Sequence, residues 1–250
     1  MGVVFALAYL SNNIGGLWIM DIKEIDKIST ELAKNYLEQR IIDNQLVDKA
    51  IIFFNQYFTL VEHPITRDDV EKLSNIDFSI KLDFFAWRMF EPKTDQDVKR
   101  FYRVTPFDFF RNILKNMDIM HYEKILKEII LPHLEKNNYK TVLDYGGGSG
   151  YNAILLDKLG YKTSFAEISK ISIEWMKYIT KELGVNIEII DLQEEEIKNN
   201  YDTIILKDVI EHLVNPEQVM NSLSKNTKNL LVIPDKVTKK EDYLTMHFGY

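Results

Sequence analysis

The sequence predicts an α/β fold on a mostly parallel sheet, preceded by an all-helical N-terminal region. Three observations carry this. From about Lys140 onward, short apolar runs alternate with helical patterns, the order that arises when crossover helices join parallel strands. Before that point, apolar residues recur at three- and four-residue steps, the spacing of a helix face. A glycine-dense turn, "DYGGGSG" over residues 144–150, directly follows the first apolar run and opens a helical pattern.

In the N-terminal region, Ile22, Ile25, Ile28, Leu32 and Tyr36 mark one helix face. "ITRDDVEKL" follows Pro64, with Thr66 placed as an N-cap. "TPFDFFRNIL" has Thr105 as cap and Pro106 at the first helical position. "HYEKILKEIILPHLEKN" is a further helix, expected to bend at Pro132. Residues 1–20 are largely apolar, but Ser11-Asn12-Asn13 and Gly15-Gly16 interrupt them. No Lys or Arg precedes the apolar run, and a membrane span needs about 20 consecutive apolar residues. The segment therefore reads as an apolar extension packing on the body of the protein, with Val3 to Leu10 able to add a strand, rather than as a signal or anchor.

After Asn137-Asn138, "KTVLDYG", "KTSFAEI", "NIEIIDL", "YDTIILKDV" and "NLLVIPD" read as strands. Between them, "YNAILLDKLG" reads as a helix closed by Gly160. "SKISIEWMKYITKELG" is one with Ile171, Trp175, Ile179 and Leu183 on one face and Gly184 as its stop. "PEQVMNSLSKN" is the last. The division is 1–136 as a helical lid and substrate region and 137–250 as the ligand-binding domain. The sheet has five or six strands with helices on both faces. "YLTMHFGY" could add one short strand, and a bare edge would invite pairing with another copy.

Composition narrows the function classes. The chain has 250 residues, a formal net charge of −7 and no cysteine. Disulfides and thiolate metal sites are excluded, and the lack of cysteine fits a cytoplasmic protein. The acidic balance argues against general nucleic-acid binding, which needs clustered Lys and Arg. His63, His121, His133, His212 and His247 show no metal-ligand spacing, so no metal is expected. The run Glu194-Glu195-Glu196 reads as a solvated face.

In an open parallel sheet, ligands bind at the carboxyl ends of the strands where strand order reverses. A turn without side chains there lets backbone approach a ligand, and a helix N-terminus offers free N–H groups. Counting from Gly146, the spacing is G-x-G-x-G, with Gly148 and Gly150, preceded by Asp144. The dinucleotide fingerprint would place its third glycine at Tyr151, which disfavours an NAD-dependent oxidoreductase.

The Asp-x-Gly-x-Gly-x-Gly arrangement resembles motif I of the class I S-adenosylmethionine-dependent methyltransferases, whose fold is Rossmann-like. "DVIEHL", residues 208–213, is similar to the segment after the fourth strand in their small-molecule, quinone-biosynthesis type. The resemblance spans roughly Lys140 to Asp235 and omits the N-terminal helices. It implies S-adenosylmethionine as cofactor, with its amino-acid moiety against the turn at Asp144, Gly146, Gly148 and Gly150. Glu167 would take the ribose hydroxyls, Asp191 the adenine amino group, and the Leu192 N–H a ring nitrogen; Asp208 completes the cofactor set. His212 is the candidate general base, since histidine titrates near neutrality, and a histidine that only packs at a helix start is the competing reading. His247 is a second candidate.

The expected function is methyl transfer to a small-molecule acceptor. Methylation of RNA or protein and a non-catalytic cofactor-binding module are the alternatives. No membrane partner is expected, and a homo-oligomer through the sheet edge or the helical region is compatible with the pattern. In residues 97–122, Lys99, Arg100, Arg103, Arg111 and Lys115 interleave with Phe101, Tyr102, Phe107, Phe109 and Phe110. Amphipathic helices with the aromatics in the core explain this most simply. Aromatics walling an acceptor pocket, with an arginine for an anionic acceptor, is the reading that suits a lid.

Overall fold

The protein is described here by a computed structural model covering residues 17–19, 44–57, 66–68, 94–104, 109 and 124–234. The described elements begin with strand β1 (Leu17–Ile19) and helices α1 (Asn44–Tyr57) and α2 (Asp95–Val104). A π-helical turn (Leu126–Ile130) runs into α3 (Leu131–Lys136). Then follow β2 (Thr141–Tyr145), α4 (Tyr151–Lys158), β3 (Lys162–Glu167), α5 (Lys170–Leu183), β4 (Glu188–Asp191) and β5 (Thr203–Lys207). A 3₁₀ turn (Ile210–His212), α6 (Pro216–Leu223) and β6 (Leu230–Ile233) complete them. The expected helix over 21–43, the start at Thr105, the extension Val3–Leu10, the strand over 243–250 and His247 lie outside the described residues.

The sheet order is β1-β6-β5-β2-β3-β4, with every pair parallel. Strand order reverses between β2 and β5, which places the switch point at the carboxyl ends of those two strands. One strand comes from an unexpected place. The N-terminal segment Leu17–Ile19 pairs with β6 in register Leu17 to Leu230, so the sheet takes its sixth strand from the apolar extension.

Alternation along the strands sends side chains to two faces. Val142, Ile205, Leu231 and Ile233 pack with Ile125, Leu126, Ile129, Ile130 and Leu134 of the π-turn and α3. On that same face Phe165 packs with Trp175, Met176 and Ile179 of α5. Leu143, Ala166, Ile190, Ile204, Leu206 and Val232 face Met220 and Leu223 of α6 on the other. Each fully buried large side chain of this kind contributes roughly 1.5–3 kcal/mol.

Local chemistry sets the element ends. Pro132 lies in the first turn of α3. Its ring lacks an N–H and crowds the preceding turn, and that turn is widened so that Leu131 N–H reaches Leu126 O. Gly184, with φ +64, stops α5 as its spacing predicts. α2 begins with a reciprocal cap: Asp97 N–H donates to Thr94 Oγ1 at 3.2 Å and Thr94 N–H to Asp97 Oδ2 at 2.9 Å.

The N-terminal helices dock on α5. Phe53 of α1 lies 5.6 Å from Trp175 and 5.7 Å from Tyr178, between ring centroids, and Phe109 lies 5.7 Å from Phe54. Lys49 Nζ pairs with Glu182 at 2.8 Å. Phe101 and Phe109 are buried, so these aromatics serve the core, as the simplest reading of the interleaved stretch expects. Phe107, Phe110, Arg111 and Lys115 lie outside the described residues.

Candidate functional site

The turn after β2 sits at the switch point, and Gly146, Gly148 and Gly150 all have positive φ. What fills the space beside two of them is the protein itself. A Cβ on Gly146 would meet Val209 Cγ2 at 2.7 Å, and one on Gly150 would meet Met176 Sδ at 1.9 Å. The bare backbone is thus demanded first by left-handed conformation and by close packing against the chain's own side chains.

Asp144 lies beneath this turn, 1% exposed. Its Oδ2 has no hydrogen-bond partner among the described residues. Burial pushes its carboxyl up to about 7, while the nearby Lys207 ammonium opposes the rise. Burial also pushes the Tyr145 phenol up to about 12, with the Glu167 charge adding to it.

Glu167 and Asp191 end neighbouring strands and are register partners. Glu167 is buried, and its carboxylate gathers backbone donors. Oε2 accepts Gly148 N–H at 2.9 Å, and Oε1 accepts the N–H groups of Ile168 at 2.6 Å and Ser169 at 3.0 Å. The acid at the end of β3 therefore points at the glycine turn and ties it to the start of α5.

Asp191 is held differently. Arg103 Nη1 donates to both Oδ1 and Oδ2 at 2.8 Å, and Gln193 N–H donates to Oδ1 at 3.0 Å. Arg103 was legible only as one of several basic residues. Nothing in the spacing tied it to a strand end 88 residues later. Leu192 departs from its expected role: its N–H donates to Glu167 O at 2.9 Å, so the ladder between β3 and β4 already uses that donor.

Asp208 follows β5 with φ +52, a conformation costly for a non-glycine residue. Its Oδ2 pairs with the Lys207 ammonium, and its N–H donates to Ile233 O at 2.8 Å. Lys207, with 8% of its side chain exposed, is a further residue beside the site that sequence reasoning passed over. Its place as the last residue of an apolar strand was the signal. His212 ends the 3₁₀ turn beyond Asp208 and is half-buried. Its Nδ1 meets the Tyr102 hydroxyl at 3.0 Å.

The structure thus ties Gly148 to Glu167 and sets Asp191 beside Glu167 at the strand ends, with Asp144 buried at the end of β2, while Lys207 ends β5 and Asp208 and His212 follow it. The donor set suits an adenosyl sulfonium compound: carboxylates for hydroxyls, amino groups and a positive centre, with one buried carboxyl oxygen unbonded. The absence of cysteine removes nothing that such a cofactor requires. Among the described residues there is no cluster of three His, Asp or Glu able to hold a metal ion, and no helix long and apolar enough to cross a membrane.

Comparison with known proteins identifies the family. A family profile described as a methyltransferase domain matches residues 119–243, half of the chain. The chain is 30% identical over 118 residues to the ubiquinone biosynthesis O-methyltransferase of Rickettsia canadensis, covering 46% of this chain and 50% of that protein. It is 30% identical over 104 residues to the ribosomal RNA small subunit methyltransferase G of Borrelia recurrentis, covering 40% and 50%. It therefore spans about half the length of the curated relatives it matches. Among solved structures it is similar to magnesium protoporphyrin IX methyltransferase from Synechocystis, with a TM-score of 0.41, 17% identity, and 64% and 71% of the two chains covered. With its Rossmann-like parallel sheet and its matched methyltransferase domain, the chain belongs to the class I S-adenosylmethionine-dependent methyltransferases.

Proposed function

We propose that the protein transfers a methyl group from S-adenosylmethionine to a small-molecule acceptor, with 137–250 as the cofactor-binding domain and 1–136 as the lid and substrate region. The observation that carries this is the pair Glu167 and Asp191, register partners at the sheet edge, with Glu167 tied to Gly148 and the unbonded Asp144 Oδ2 beneath.

The cofactor, when bound, supplies an electrophilic methyl on a positively charged sulfur. The chain's own work is then alignment. Asp144 and the Gly146–Gly150 turn bind the amino-acid end. Glu167 takes the ribose hydroxyls, for which the Gly148 N–H is an alternative donor at the same oxygen. Asp191 takes the adenine amino group. Asp208, fixed by Lys207, closes the site on the β5 side. If the acceptor atom is a hydroxyl oxygen, His212 removes its proton. The shared sequence with O-methyltransferases of ubiquinone biosynthesis supports oxygen.

A second reading, methylation of RNA, is favoured by two relatives named for ribosomal RNA and by the exposed Lys99 and Arg100 on α2. Thermal unfolding with S-adenosylmethionine, its demethylated product and NAD tests the cofactor. Free ligand at ten times Kd adds about 1.4 kcal/mol, expected for the first two and absent for NAD. Methyl incorporation is then compared between hydroxylated aromatic acceptors and RNA. Incorporation into RNA alone overturns the small-molecule assignment, and binding without incorporation into any acceptor favours a non-catalytic module.

A further inference from the structure

Helix α2 bridges the two sides of the switch point through consecutive residues. Tyr102 reaches His212 beyond β5, with the hydroxyl 3.0 Å from Nδ1. Arg103 reaches Asp191 at the end of β4 with one nitrogen, 2.8 Å from each carboxylate oxygen, and the same nitrogen lies 3.2 Å from Ile168 O. Both side chains of that ion pair are 20% exposed, so water screens it only partly. Phe101 anchors the helix and packs edge-on against Tyr102, with centroids 5.2 Å apart.

Asp191 is also the carboxylate assigned above to an adenine amino group. A carboxylate offers about four lone-pair positions, and three contacts already fall on Asp191 from Arg103 and Gln193. A guanidinium and an amino group both only donate, so they cannot bond to each other and they compete for the same acceptor. Arg103 therefore takes two of the positions open to an adenosyl amino group and leaves about one, and it does so from a helix that also contacts His212.

We propose that Arg103 is a latch: it competes with the cofactor's adenine for Asp191, so cofactor binding releases the last turn of α2 and, through Tyr102, breaks that helix's contact with His212. This rests on the reading of Asp191 given under Proposed function. It predicts an ordered reaction in which the acceptor side becomes competent only after the cofactor is in place.

The test uses the full chain, the demethylated cofactor product as probe, calorimetry, and hydrogen exchange of the α2 amides. Arg103→Gln should bind the product about fivefold more tightly than wild type, since a partly exposed ion pair of about 1 kcal/mol no longer opposes it. In wild type, the product should speed exchange over residues 99–104. Equal or weaker binding by Arg103→Gln, or slower exchange in α2 on binding, overturns the latch. The exchange measurement on wild type stands even if the variant folds poorly. Product binding that Arg103 does not affect sinks the latch alone, whereas no binding by either protein sinks the cofactor reading as well.

Discussion

Gly148 donates its backbone N–H to Glu167 Oε2 at 2.9 Å, joining the turn after β2 to the carboxyl end of β3. The two residues are 19 positions apart, and the bond forms because β2 and β3 are parallel neighbours with Tyr145 opposite Ala166. Glu167→Gln replaces an acceptor of three backbone N–H groups by an amide with one acceptor oxygen. It should lower stability by about 1–3 kcal/mol, read as a drop in the denaturant midpoint at constant slope.

The glycines test whether fold or ligand demands them. Gly150→Ala meets both φ +73 and Met176 Sδ at 1.9 Å, whereas Gly184→Ala meets φ +64 and open space. The second should cost about 1 kcal/mol, the price of a left-handed non-glycine residue. The first should cost at least ~1 kcal/mol more, as overpacking does. Equal losses in thermal unfolding without ligand would contradict the packing account.

Asp144 and His133 should act on stability in opposite directions. The Asp144 carboxyl is raised from 3.8 to about 7 by burial. The folded state therefore holds the proton more firmly, and stability falls as pH rises from about 4 to about 7, by up to ~1.4 kcal/mol per pH unit. Asp144→Asn should flatten that slope in unfolding titrations over this range.

His133 is lowered from 6.5, by burial first and then by Lys136. The unfolded state binds this proton more readily. The stability His133 contributes is present above pH 6.5 and is lost as pH falls through its lower folded value. His133→Gln should remove that acid-side loss, and an unchanged acid slope would contradict the assignment.

Much of the sheet was legible because its signals are local. Apolar runs of four to six residues, the Gly160 and Gly184 stops, and Pro216 at a helix start all have one-dimensional signatures. Glu167 was singled out as an acid at a strand end, where such sheets bind ligands, and Asp191 by the family resemblance; the structure sets the two side by side. The parts missed are those that sequence distance hides. Leu17–Ile19 pairs with residues more than two hundred positions away, and three residues are too short for a periodic signal. Arg103 and Tyr102 meet Asp191 and His212 only after α2 has docked on α5. The Leu192 N–H is spent on a ladder bond that depends on register, which composition does not encode.

Calorimetric titration of the full chain with the demethylated product of S-adenosylmethionine bears most directly on the site. Saturable one-to-one binding is predicted, with none for NAD and at least about tenfold weakening in Glu167→Ala. No heat from wild type, or an unchanged affinity in Glu167→Ala, would contradict a cofactor seated at the carboxyl ends of β2, β3 and β4.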